Sequence, residues 1–410
     1  MRRVLLLNSG KDRATELLAA EPGVELAIVA KARYAERYRR FAAVELVADL
    51  ADVGAVTGAA LRLARGGTFD AVVAPVEAAV MPAGFLRSFL GVPGQTLDQV
   101  LPLTSKLHMK RRLAAAGVAT PPAIGVSDLD GLAEAAPHVG WPMVVKPMLG
   151  AGGVNTHVIA SPNELAGLRA SGALDGLEQA ACPLVAEGFV TMRQELHCDG
   201  VVAGGSVEFA AVSRYLSPLL GARRRGVAGS YTLPEAGEDA LRVRRLHAET
   251  VAALGLRDGV THMECLDDGS RLLVGEIACR PAGAGIVPAV ERRHGVDLWQ
   301  AFVDCALERR PRVRSRDRGL FTGWLGLPGQ NGVVREITTA DTLASVPGVD
   351  RVTVFHRPGQ HVHQTVSTTF FSVQVEFTLP ASADIDALVG EVRRRHRLAV
   401  EPEPAAAVRP

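Results

Sequence analysis

Over its first hundred or so residues the chain alternates short, unbroken apolar runs with stretches whose apolar residues recur every third or fourth position. Residues 4–7, 24–30, 44–48 and 71–74 read as strands, and residues 13–20, 33–41 and 53–64 as helices. Strands alternating with helices at this spacing predict a parallel sheet with crossover helices. Gly10 follows the first strand, but no G-x-G-x-x-G accompanies it, so the dinucleotide fingerprint is absent. The sheet therefore reads as a supporting or substrate-side domain. Glu77 lies just past the fourth strand, at the carboxyl edge where such sheets bind ligands. Its plainer reading is an exposed acid at a helix start.

The pattern then shifts. A helix opens near Lys106, with Thr104 or Ser105 as its N-cap, and closes at Ala116-Gly117 before Thr120-Pro121-Pro122 breaks the chain. Residues 141–147 form a strand that carries Lys146 near its end, followed by Gly150, Gly152 and Gly153. Glycines so closely spaced let backbone amides approach an anion, although G-x-x-x-x-G-K-[ST] does not occur and a glycine-rich hairpin tip has the same composition. A strand at 183–190 runs into a linker, and residues 194–200 start a hairpin whose turn is Asp199-Gly200. A strand entering a hinge exposes backbone groups able to read an adenine edge, and a carboxylate a few residues later can accept from ribose hydroxyls. The sheet continues at 207–213. Arg223, Arg224 and Arg225 sit between glycines as a cationic loop able to close on an anion, or as a solvated charge run. Helices follow at 235–254 and 287–309, then a polar linker at 311–318. Short strands at 320–327, 332–337, 349–356 and 372–378, with a helix at 384–397, suggest a small α/β cap packed back on the core. His356, His361 and His363 lack ligand spacing and read as surface residues.

The most chemically suggestive stretch is residues 262–283, HMECLDDGSRLLVGEIACRPAG. His262 to Leu266 alternates polar and apolar, Asp267-Asp268-Gly269-Ser270 supplies a turn, and Arg271 to Ile277 runs back. In such a hairpin Glu264 and Glu276 can fall on one face, close enough to hold one or two hard divalent cations; paired acidic oxygens suit magnesium, which completes its shell with water and phosphate. Arg280 could present a planar cation to a phosphate or carboxylate at the same centre. An edge hairpin with solvated acids would show the same pattern.

Composition narrows the field. A chain of 410 residues is long enough for two or three domains, and 48% hydrophobic with 22% charged content is that of a soluble globular protein. A net charge of +1 gives no field favouring nucleic acid or an anionic membrane, so neither partner is implied. Cys182, Cys198, Cys265, Cys279 and Cys305 form no C-x-x-C pair and read as small buried thiols in a reducing compartment. The apolar run after Arg2-Arg3 is too short for a signal segment, and no stretch approaches the ~20 apolar residues of a membrane span. A cytoplasmic location is expected.

Taken in order, these features resemble the ATP-grasp superfamily: a helix-opening lysine, a strand lysine before a glycine-rich loop, a hinge acid, a second acid, and two metal carboxylates with a nearby arginine. Within it the chain is most similar to carboxylate–amine ligases, which include bacterial L-amino-acid ligases (dipeptide synthetases). The likeness covers nearly the whole chain and is carried mostly by residues 105–122, 141–158, 185–200 and 262–283. It implies an α/β (α+β) ATP-grasp fold. A Rossmann-like parallel-sheet domain would span 1–104, a small lid subdomain 105–190, a large subdomain with the metal site 191–310, and a small α/β cap 311–400, before a flexible tail at 401–410. By the same resemblance Lys106 and Lys146 would contact ATP phosphates under a lid loop carrying Gly150, Gly152 and Gly153. Glu187 with the backbone of Phe189 and Val190 would hold adenine, and Glu195 the ribose. Glu264 and Glu276 would bind Mg2+ (or Mn2+), and Arg280 would face an acyl phosphate or a substrate carboxylate. Two departures stand out. Ala278 replaces the asparagine that most members carry two residues after the second metal acid, and the spacing from Glu187 to Glu195 is one longer than usual, with Met192 near a position where glycine is common. The implied activity is ATP-dependent amide formation between a small carboxylate and an amine, amino acids foremost. A purine-pathway or carboxylase-type ATP-grasp enzyme and a non-catalytic nucleotide-binding regulatory module are the alternatives. The sheet edge of the first domain could pair two copies as a homodimer.

Overall fold

The computed structural model describes residues 1–221, 226–364, 367 and 370–402; the arginine loop 223–225 and nearly all of the tail lie outside the described residues. Strands β1 (Arg2–Asn8), β2 (Val24–Lys31), β3 (Ala43–Val47) and β4 (Ala71–Val73) form a parallel sheet in the order β3-β2-β1-β4. The apolar run of β1 has a simple cause, because both faces of this sheet are covered. Val4 and Leu6 join a core with Ile286, Leu298 and Phe302, whereas Leu5 and Leu7 join another with Val56, Ala60 and Leu86.

A second sheet, antiparallel, holds β5 (Ala123–Val126), β6 (Met143–Pro147), β7 (His157–Ile159) and β8 (Leu184–Gly188) in the order β5-β8-β6-β7. The remaining strands are β9 (Gln194–Ala203), β10 (Ser206–Tyr215), β11 (Ala228–Thr232), β12 (Gly259–Asp267), β13 (Leu272–Ala278), β14 (Leu320–Pro328), β15 (Gly332–Ile337), β16 (Val349–Val354), β17 (His361–Val362), β18 (Phe371–Pro380) and β19 (Leu398–Glu401). Among the described residues, eight of them make one sheet, β13-β12-β9-β10-β11-β14-β18-β16, and β17-β15-β19 make another. Part of the C-terminal segment read as a cap is therefore continuous with the large sheet. No helix among the described residues is long and apolar enough to cross a membrane.

Several expectations are corrected. Asp199-Gly200 is not a turn: β9 runs through it, and the hairpin turns at Gly204-Gly205, where φ is +59° and +83°. Gly200 answers a close approach instead, since a Cβ there would meet His247 Cε1 at 2.6 Å. The single helix at 287–309 is two, Ile286–His294 and Leu298–Ala306, broken at left-handed Gly295 and restarted by Asp297, whose side chain caps Trp299 and Gln300. The helix at 33–41 shrinks to a 3-10 turn and the short helix Ala35–Tyr38. His356 is buried rather than superficial, with both ring nitrogens unpartnered among the described residues, whereas His361 and His363 are exposed.

Candidate active site

The helix Lys106–Ala115 starts at Ser105, whose hydroxyl accepts from the His108 amide. Helical spacing places Lys106 and Lys110 on one face. Lys106 Nζ donates to the Gly150 carbonyl at 2.6 Å and lies 3.6 Å from Glu276 Oε1. Lys110 Nζ donates to the Gly275 carbonyl at 3.0 Å and lies 3.4 Å from Glu187 Oε2, which Lys146 Nζ approaches from β6 at 3.1 Å. Burial would raise the Glu187 carboxyl, but the two ammonium groups hold it below the usual carboxylate range. Burial lowers Lys110, whereas in Lys146 the charges of Glu187 and Glu276 outweigh it and raise the ammonium. The second Glu187 oxygen, Oε1, is buried without a partner among the described residues. Lys110 was not singled out from the sequence, although its spacing from Lys106 was the available signal.

On β12 the alternation read from the sequence has a direct cause: Met263 and Cys265 enter a core under the helix Glu238–Leu254, so His262 and Glu264 face the other way. Glu264 pairs directly with Glu276 across to β13, and a register shift then matches Cys265 with Val274. That bulge skips Gly275. It lets Val274 and Ile277 both reach the core while Glu276, between them, faces the cavity. Beneath Glu264 lies a buried network that the sequence did not announce. Asp199, fully buried on β9, accepts from His197 Nδ1 at 2.6 Å and from His262 Nδ1 at 2.9 Å, and His197 Nε2 meets Ser230 Oγ at 2.8 Å. These three groups cluster as metal ligands might, yet their bonds to one another and to Ser230 occupy them. Burial would lower His262, but Asp199 and Glu264 raise it to about 10. Burial would likewise raise Asp199, and its two histidines hold it well below the usual range.

All the residues expected to act together line one cavity of about 260 Å³: Lys106, Lys146, Gly150, Gly152, Gly153, Glu187, Phe189, Val190, Glu195, Glu264, Glu276 and Arg280. The loop glycines have φ of +121°, +71° and +62°, backbone that favours glycine. The Phe189 amide donates to the Pro142 carbonyl. Glu195 accepts from the Leu219 amide at 2.7 Å, and burial together with the Glu264 charge pushes its carboxyl up to about 8. Tyr215 packs behind, its hydroxyl 3.4 Å from Glu264 Oε1. Glu77 overturns its plainer reading: it is 12% exposed and accepts from Arg280 Nε at 2.7 Å.

Residues 111–291 match the ATP-grasp domain family, so the chain carries an ATP-grasp domain. Over 405 residues the chain is 28% identical to the L-arginine-specific L-amino acid ligase of Bacillus subtilis, covering 97% of this chain and 98% of that protein. The structure is similar to that of the L-amino acid ligase from Bacillus licheniformis, with a TM-score of 0.75 at 18% identity over 98% of this chain and 99% of the other. It is also similar to carboxyaminoimidazole ribonucleotide synthase from Aspergillus clavatus complexed with ATP, with a TM-score of 0.70 at 17% identity over 96% and 98%.

Proposed function

We propose that the protein is an ATP-dependent carboxylate–amine ligase that joins amino acids through an acyl phosphate. The observation that carries this reading is the convergence on one cavity of three cation-bearing side chains, a glycine-rich loop and the facing acids Glu264 and Glu276. Those acids, 28% and 25% exposed toward the cavity, fit a divalent cation, magnesium foremost, as hard oxygen donors on opposed strand positions; Ala278 adds no oxygen. When bound, magnesium neutralises phosphate charge. For the nucleotide, Phe189's amide is already engaged, so an adenine edge would be read by its carbonyl and by Val190.

In the proposed reaction one substrate's carboxylate attacks the γ-phosphorus of ATP, giving an acyl phosphate and ADP. The second substrate's amine then attacks the acyl carbon, and the tetrahedral intermediate expels phosphate. The protein's work is positioning and charge stabilisation: Lys106 and Lys146 neutralise the transferred phosphoryl group, and Arg280 faces the acyl phosphate. His262 is not assigned as the base for the amine: its Nδ1 is held by the Asp199 carboxylate at 2.9 Å, and the two neighbouring acids favour its protonated form.

Incubation with ATP, magnesium and pooled amino acids is expected to release phosphate only when amino acids are present, with a new dipeptide mass. Nucleotide binding without turnover would instead identify a regulatory module. Turnover requiring a purine-pathway substrate or bicarbonate would identify the second enzymatic class, which the similarity to the ribonucleotide synthase keeps in view. Action in the cytoplasm is part of this proposal.

A further inference from the structure

Cys279 and Arg280 follow β13 side by side but line different spaces. Arg280 and Ala278 line the phosphate cavity, whereas Cys279 lines a second cavity of about 670 Å³. The helix Glu77–Leu90 is shared in the same way: Glu77, in its first turn, accepts from Arg280 at 2.7 Å, and Val80 and Arg87, further along, line the second cavity. Both members of that ion pair therefore stand on elements that wall the second space. Gln95 ties those elements together, its side-chain amide donating to the Asp258 carbonyl at 2.9 Å and to Cys279 Sγ at 3.5 Å.

The second cavity has the size of a small-molecule site, and its lining pairs apolar surface with few polar groups. Leu256, Phe302, Ala306 and the polarisable sulfurs of Cys279 and Cys305 supply the apolar part. The rim charges balance: Arg310 pairs with Glu208, Arg309 with Glu21 and Glu308 with Arg2, and exposed Arg257 stands next to exposed Asp258. Arg87 is different. Its Nε and Nη2 donate to the Val72 carbonyl at 3.1 Å and 2.6 Å, and its Nη1 to the Gln95 carbonyl at 3.0 Å. Three of its five N–H groups are thus used, all on backbone carbonyls. Among the described residues it makes no ion pair, and burial lowers the guanidinium to about 10, still a cation at neutral pH. A buried charge without a counterion is costly, and an anionic group on a ligand would relieve it.

We infer that this second cavity is an effector site for a small organic anion with an apolar body. The anionic group meets Arg87, the body lies on Phe302 and the two sulfurs, and the occupant acts on Arg280 through Cys279 and the helix that carries Glu77. The inference needs nucleotide at the phosphate cavity and does not need ligase activity.

The probe is 8-anilinonaphthalene-1-sulfonate, an apolar ring body with one sulfonate, titrated calorimetrically into the full-length protein. As ATP and magnesium are added, its dissociation constant should move by about fivefold or more and then level off, as two coupled sites require. Arg87→Met should weaken the probe about 10- to 100-fold, as for a lost charge-assisted hydrogen bond, and Arg87→Lys should restore part of the binding. Because Arg87→Met also removes contacts to the backbone, Ala306→Trp serves as a second variant: it fills the cavity and should abolish probe binding with ATP affinity unchanged. A dissociation constant that climbs in proportion to ATP without levelling puts the probe in the phosphate cavity and overturns the inference. Probe binding indifferent to ATP, or equal in wild type and Ala306→Trp, overturns it as well. ATP is also titrated alone, so that a failure of the nucleotide reading shows separately.

Discussion

Replacing Glu187 with glutamine keeps its shape and removes its charge from between Lys110 and Lys146. The carboxylate is 5% exposed, and its Oε2 stands 3.4 Å and 3.1 Å from the two ammonium groups. Each attraction is worth about 5 kcal/mol at an effective dielectric of about 20. Desolvation of all three groups offsets much of this. The measurable effect is that of breaking a buried network by removing one partner, about 3–5 kcal/mol. Against a total stability of about 5–15 kcal/mol, that is a large fraction. Urea unfolding followed by tryptophan fluorescence, to which Trp141 on the core of the same small sheet contributes, measures it. Lys110→Met added to Glu187→Gln should recover part of the loss, because it removes a stranded cation. The Glu187 carboxyl is depressed in the folded state, so its contribution is present above the unfolded carboxyl pKa and is lost as pH falls through the folded value. The difference between wild type and Glu187→Gln should therefore close in acid. A loss below about 1 kcal/mol at neutral pH, where breaking such a network should cost several times more, or a double variant less stable than Glu187→Gln alone, would refute the reasoning.

Glu276→Gln should cut ADP release about 10²- to 10³-fold without unfolding the chain, as for loss of one preorganised electrostatic contact; near-normal turnover would remove Glu276 from the metal site. Chelation of divalent cations should stop turnover reversibly, and activity persisting after exhaustive chelation would contradict the metal reading. Gly200→Ala should lower the melting temperature, through about 1–3 kcal/mol of overpacking against His247; an unchanged melt would show that the strand yields. Lys11 is depressed from 10.5 to about 8, so the unfolded chain holds that proton more tightly and stability should rise between those pH values. Lys11→Met should flatten that rise in pH-dependent unfolding, and an unaltered slope would argue against the burial of the ammonium.

The sequence by itself determined the elements and much of the site's chemistry, because both are written in local periodicity. The apolar run of β1, the alternation in His262 to Cys265 and the turn at Asp267 to Ser270 fix a parallel sheet and a hairpin without reference to distant residues. Opposed acids followed from the same alternation. Only the tertiary structure decided where the alternation breaks: the bulge at Gly275 exists because Val274 and Ile277 both reach the core, so Glu276 is turned outward between them. Distance along the chain hid the rest. Asp199-Gly200 has the composition of a turn but is a mid-strand pair, because two histidines claim the Asp199 carboxylate and His247 occupies the space beside Gly200. Glu77 and Arg280, more than two hundred positions apart, become partners only when the N-terminal sheet packs against the hairpin. Burial then makes that pairing costly to leave unmade, and burial is a property that no local pattern contains.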